Sequence, residues 1–163
     1  MKKTISILLV LLLFAGCVPE NVPGEVTFFY PRLDYTYNTS DSVIASEERD
    51  SEGYISTVYL LGIYLAGPLE ETLTNPFPKG LEVLSAYTDS HTVYITVSDQ
   101  MATLSGASLI LACACLGKTG IGLTGTETAV IRCESLLLDG KSSITVSGDT
   151  ILYTDGYTAD ESD

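Results

Sequence analysis

The sequence predicts an α+β fold in which two helices pack on one face of a small antiparallel or mixed sheet. Two segments, near residues 54–66 and 105–116, are apolar at helical spacing or apolar nearly all round. Several short runs rich in Val, Ile, Thr, Tyr and Phe read as strands, the clearest alternating with period two. The two kinds interleave as β–β–α–β–β–α–β–β, with no internal repeat. That order predicts one domain over residues 25–155, followed by an acidic tail at 156–163.

The amino terminus comes first. Met1-Lys2-Lys3 is basic, and residues 5–15 form an apolar block broken only by Ser6. A membrane-spanning helix needs roughly 20 apolar residues, so this block is short for a span and reads as a signal peptide. Leu13-Phe14-Ala15-Gly16-Cys17 follows, with small side chains directly before a cysteine. The arrangement resembles the bacterial lipobox, whose cysteine accepts diacylglycerol and becomes the first residue of the mature chain. Phe14 stands where leucine is usual, with Leu13 one place earlier. The competing reading is an ordinary signal peptide with a chance cysteine. The expectation is removal of residues 1–16 and a lipid anchor at Cys17, on the outer face of the bacterial cell membrane. Several acyl chains hold stably where one is marginal.

Charge narrows the partners. Eight basic and 21 acidic side chains give the 163-residue chain a formal charge of −13. Losing residues 1–16 removes Lys2 and Lys3, which leaves 147 residues at −15. A surface that acidic cannot track a phosphate backbone, so nucleic acid is excluded as a partner. It also disfavours anionic lipid, so membrane attachment has to come from the acyl group. Residues 17–24 form the anchor and a Pro-containing linker, which at ~3.3 Å per residue reaches about 25 Å at most.

Val26-Thr27-Phe28-Phe29-Tyr30 reads as the opening strand, stopped by Pro31, and Val43-Ile44-Ala45 as a short second one. The acidic stretch 47–52 is expected to lead into the first helix, where the dipole favours negative charge at the N-terminus. In that helix Tyr54, Val58, Leu61 and Leu65 share a face, and Gly67-Pro68 ends it. Residues 81–88 and 92–98 form a hairpin with Asp89-Ser90-His91 at its turn. In the second arm Val93, Ile95 and Val97 alternate with Thr92, Tyr94 and Thr96. The second helix, near 105–116, should be well buried, and the glycines of 117–125 are expected to end it in a loop. A further strand puts Ala129, Ile131 and Cys133 on one face, and residues 143–153 supply one or two edge strands.

Chemical motifs are few. Gly120-Ile121-Gly122-Leu123-Thr124-Gly125 matches G-x-G-x-x-G, but a dinucleotide site needs that loop after a strand and before a helix. Here the order is reversed. Gly117-Lys118-Thr119 resembles the end of a P-loop, yet residue 112 is Ala. His91, the single histidine, falls at an exposed hairpin tip with no orienting acid, so no catalytic residue is assigned. Asp99 caps a turn. The 47–52 acids lack the ligand alternation and glycine of an EF-hand loop, so they read as a solvated face. Cys113, Cys115 and Cys133 read as small buried hydrophobes. On a helix Cys113 and Cys115 point about 200° apart, so they cannot bridge each other, although either could meet Cys133. No metal site and no cofactor are expected. Ten tyrosines without tryptophan suit either sheet packing or a contact surface.

The succession of elements and their joints resembles the GerMN domain of sporulation and spore-germination lipoproteins. The matching patches are Val26 to Pro31, Tyr59 to Pro68, and Pro78-Lys79-Gly80-Leu81-Glu82-Val83-Leu84. Val93 to Ser98 and Val130-Ile131 through Leu138-Asp139-Gly140-Lys141 complete the set, which covers residues 25–142. The glycines at 117, 120, 122 and 125 and the strand-like residues after 140 depart from the pattern. The resemblance implies a fold similar to the ring-building motif of secretion and sporulation channel proteins, two helices on a small sheet. It also implies protein interaction at the cell envelope and carries no catalytic constellation. The expected function is a non-enzymatic interaction or scaffold module in sporulation, germination or envelope assembly. Its partner would be an envelope protein or a second copy. A peptidoglycan- or small-solute-binding lipoprotein is the alternative, and an acid-pair hydrolase ranks last. A scaffold should show a flat apolar or edge-strand patch, a glycan reader a cleft with exposed aromatics and polar groups.

Overall fold

A computed structural model describes residues 24–34, 43–135 and 142–148. The leader, Cys17, the Asp139-Gly140-Lys141 turn and the tail lie outside the described residues.

The described residues open as a strand because Phe28 and Tyr30 alternate inward from β1 (Glu25–Pro31). It pairs antiparallel with β2 (Ile44–Asp50), in register from Glu25↔Asp50 to Pro31↔Ile44. The acids expected to lead into a helix therefore lie in a strand. The reason is that β2 alternates in charge, not in hydropathy. Ser46, Glu48 and Asp50 are exposed, whereas Glu47 is buried and Arg49 half-buried. An inward-facing ion pair hides the period-two signal.

Helix α1 (Thr57–Leu65) has no acid in its first turn, so the expected dipole interaction is absent. Its buried side chains are Leu60, Leu61 and Tyr64, whereas Tyr54 precedes the helix and is exposed. Gly67 ends it as expected, at φ +108°, with Pro68 following. A Cβ there would come within 3.0 Å of Asn75 Nδ2.

Strands β3 (Val83–Asp89) and β4 (Thr92–Val97) form the expected hairpin, closed at Asp89↔Thr92. The register shifts between Val83 and Ser85, leaving Leu84 as an extra residue. A 3₁₀ turn at Asp99–Thr103 leads to α2 (Gly106–Thr124), then β5 (Thr128–Arg132) and β6 (Ser143–Ser147). β5 lies parallel to β4, so α2 is the crossover that parallel pairing demands. The four-stranded sheet runs β3-β4-β5-β6.

The α+β class is as the sequence implies, with the strands divided between two sheets. β1 and β2 form a separate two-stranded sheet, and α2 packs between it and the four-stranded one. One face of α2 meets β1, where Thr119 Oγ1 accepts a hydrogen bond from the Phe29 amide at 3.0 Å. Another face meets the larger sheet, where Gly117 lies against Val146 and Gly120 against Ile95. A helix packed on both sides must be apolar nearly all round, which explains its composition. By length and composition α2 could cross a membrane, but its residues here build the core with Phe28, Tyr64, Ile95 and Ile131.

The expected glycine loop at 117–125 is corrected to helix. Each interior glycine costs about 1 kcal/mol of helix propensity against alanine, but Gly117 and Gly120 let the sheet approach. The end comes only at Gly125, at φ +66°, whose amide donates to Ile121 O at 2.8 Å.

Candidate docking face

The helices occupy one side of the four-stranded sheet, and no described element packs on the other. Alternation sends Ala86, Ile95, Ala129, Ile131 and Val146 to the core, and turns their neighbours outward. The outward set is mostly hydroxylated, with Ser85, Thr96 and Thr145 around two tyrosines and an arginine. Tyr87 and Tyr94 are direct cross-strand partners, their rings stacked at 4.9 Å and 13°. The Arg132 guanidinium carbon lies 4.8 Å from the Tyr94 ring centroid, and Nη1 donates to the Tyr87 hydroxyl at 3.2 Å. Stacking adds about 0.5–1.5 kcal/mol beyond burial, and an exposed cation–π contact adds about 0.5–1 kcal/mol. The ladder is thus held in place before anything binds. Tyr87 remains 50% exposed. Beside it β3 is an outer strand, with Leu84 60% exposed at its bulge.

A second polar cluster is internal. Glu47, 3% exposed, pairs with Arg49 Nε, and its Oε2 accepts from the Leu69 and Glu70 amides at 2.8 and 3.1 Å. Arg49 Nη2 donates to Gly67 O at 2.7 Å, and the guanidinium lies over the Phe28 and Tyr30 rings. The Tyr30 hydroxyl donates to Tyr64 O at 2.7 Å, and the Tyr64 hydroxyl to Phe29 O at 2.6 Å. Burial raises the carboxyl pKa of Glu47, but the Arg49 hydrogen bond and charge and the two amides outweigh it, so the net shift is downward. Burial holds both tyrosines protonated, their pKa values pushed well up. The cluster is saturated within the fold. It ties β2 to the exit of α1 and offers no group to a ligand.

The residues singled out by sequence fall as follows. Cys17, the anchor residue, lies outside the described residues. Cys113, Cys115 and Cys133 are buried free thiols, as expected. Burial pushes Cys113 and Cys115 up to about 12. His91 is exposed at the hairpin tip, with Nδ1 3.5 Å from an exposed Glu127 carboxylate. Asp99 Oδ1 accepts from the Ser135 amide at 3.3 Å, a turn cap. Gly120 and Gly122 lie within α2, and Gly125 caps its end. Among the described residues no three His, Cys, Asp or Glu side chains gather as metal ligands. Sequence reasoning missed the Tyr87–Tyr94–Arg132 ladder. Alternation alone placed Tyr94 outward, but pairing it with Tyr87 needed the hairpin register.

This arrangement defines a small α+β module with a GerMN-like fold. The tandem GerMN domains of the sporulation protein GerM from Bacillus subtilis superpose with a TM-score of 0.53 at 13% identity. The match covers 82% of this chain and 48% of the GerM chain, so this protein spans about half the length of that structure. A Clostridium perfringens chain described as a lipoprotein aligns at a TM-score of 0.45 and 15% identity, over 82% of this chain and 94% of that one. No protein-family profile and no curated protein matches the sequence.

Proposed function

We propose that the chain is an exported lipoprotein, held by acylated Cys17 on the outer face of the bacterial cell membrane. Its four-stranded sheet docks an envelope protein or a second copy, without catalysing a reaction. The observation that carries this reading is the Tyr87–Tyr94–Arg132 ladder, exposed on a sheet face that the helices leave uncovered. Tyrosine and arginine supply much of the binding energy at protein interfaces: tyrosine brings a large contact area with only two side-chain torsions, and arginine a planar guanidinium with five donors. The fold likeness to domains of a sporulation protein supports a place in sporulation or envelope assembly.

Photo-crosslinking of the membrane-anchored chain tests this reading. A photoreactive residue at Thr145 or Thr96 should give a discrete adduct that Arg132→Ala weakens, while one at Ile110, on α2, gives none. Equal adducts from both faces would overturn the assignment, and lytic bands in zymography would overturn the non-enzymatic reading. The hydroxyls around the tyrosines favour a second reading, a peptidoglycan contact. Retention on purified peptidoglycan, lost on Tyr87→Ala, would replace the first reading with that one.

A further inference from the structure

The described fold begins at Gly24, whose carbonyl accepts a hydrogen bond from the Ser51 amide at 3.0 Å. The same turn carries Tyr54, whose amide donates to Ser51 O at 2.9 Å. Tyr54, Ile55 and Tyr59 therefore sit at the end of the molecule where the linker arrives. Ile55 is 91% exposed, and the Tyr54 and Tyr59 rings lie 4.1 Å apart beside it. Leu33, also exposed, lies past the opposite end of β1.

We propose that Tyr54, Ile55 and Tyr59 form a second attachment point, resting in the lipid interface of the membrane that holds the chain. The inference rests on the lipid-anchor reading of Cys17. The linker argues for lipid over protein as the occupant. Six residues separate Cys17 from Gly24, seven peptide steps or about 25 Å at full extension, so the patch is never far from the bilayer. That confinement gives it a high effective concentration at the surface. Tyrosine is the side chain that interfaces collect, its ring in the acyl boundary and its hydroxyl in the headgroups, and isoleucine gains by leaving water. Glu25, Asp50 and Glu52 are exposed at the same end, so an anionic surface repels this edge. The contact is therefore shallow, and lipid charge tunes it.

The chain contains no tryptophan, so Ile55→Trp and Leu33→Trp each introduce a single fluorescent reporter. The full acylated chain is reconstituted into phosphatidylcholine vesicles with brominated acyl chains. The Ile55→Trp reporter should shift to the blue and be quenched at least twofold, with the Leu33→Trp reporter unchanged. Adding phosphatidylglycerol at low salt should weaken the quenching, and salt should restore it. In the unsubstituted chain, amides of residues 52–59 should exchange more slowly on vesicles than in a leaderless, unacylated chain of residues 18–163. If the protein floats with vesicles while the Ile55→Trp reporter stays wet and exchange is unchanged, the second contact is refuted and the anchor stands. If it fails to float, the anchor reading falls and takes this inference with it.

Discussion

Alanine at Gly117 and alanine at Gly122 should change stability in opposite directions, although both glycines lie in the same helix. Both substitutions gain the same helix propensity, about 1 kcal/mol. They differ in what the new methyl meets. At Gly122 it meets only Phe29 Cε2 at 3.7 Å, an ordinary contact. At Gly117 it would lie 2.8 Å from Val146 Cβ and 2.9 Å from Cγ1. Carbon atoms rest at about 3.5–4.0 Å, so β6 must retreat by roughly 1 Å. Valine cannot yield by rotation alone, because its Cβ is fixed to the strand. Overpacking of that kind costs about 1–3 kcal/mol. Gly122→Ala should therefore stabilise by up to about 1 kcal/mol, and Gly117→Ala should destabilise by about 1 kcal/mol. Gly120→Ala, facing the mobile end of Ile95 at 2.6 Å, falls between them. Urea unfolding at constant m-value reads the difference, and a melting shift of about 3–5 °C per kcal/mol, between the values for smaller and larger domains, provides the check. Val146→Ala should rescue Gly117→Ala, giving a double-mutant coupling above about 0.5 kcal/mol. If Gly117→Ala proves as stabilising as Gly122→Ala, the glycines do not set the distance between helix and sheet.

Two further predictions concern titrating groups. The folded pKa of Glu47 lies below the ordinary carboxyl value of 4.5, so its contribution is complete above that value and drains as pH falls through the folded one. Glu47→Gln should lose about 3 kcal/mol at pH 7, since it leaves Arg49 half-buried and unpaired. The substituted chain should lose stability less steeply than the parent between pH 5 and 3, as followed by circular dichroism; parallel slopes would contradict the network. The three thiols should resist a disulfide reagent at pH 8 in the folded Cys17→Ala chain and all react once it is unfolded. Rapid labelling of Cys113 or Cys115 in native buffer would contradict their burial.

Legibility followed hydropathy. The hairpin, the Gly67-Pro68 stop, the buried face of Ala129, Ile131 and Cys133 and the buried thiols were readable, because each follows from an apolar period or a backbone constraint. The second strand was not, since its inward positions are Glu47 and Arg49, a compensated pair that looks like surface. The far half of α2 was not either. Glycine usually ends a helix, and only contact with Val146 and Ile95 shows why this helix keeps Gly117 and Gly120. The ladder required long-range register, because Tyr87 and Tyr94 flank a turn that could have closed one residue differently. A slip of one residue would have sent one of them inward.

The acidity that argues against nucleic acid also separates the two protein partners proposed for the sheet face. Two copies of the proposed mature chain, at −15, repel each other, and a two-fold pairing of identical faces would set Arg132 near its own copy. Such a pair gains from screening, so its association should strengthen as salt rises from 0.05 to about 0.5 M, where the Debye length falls below about 5 Å. A basic envelope partner behaves in the opposite way. Its encounter rate should fall with salt, because long-range attraction to the acidic body drives approach while the Tyr87–Tyr94–Arg132 ladder makes the short-range contact. Arg132→Glu then discriminates further. In a self-pair it exchanges an Arg–Arg clash for a Glu–Glu clash and makes each copy more acidic, so association weakens in both rate and lifetime, whereas with a basic partner it raises the encounter rate while dissociation quickens, since the guanidinium that locks Tyr87 and Tyr94 is gone. Sedimentation of the protein alone across that salt range tests the self-pair: dimer growing with salt supports a second copy, and a monomer at every salt concentration rules it out.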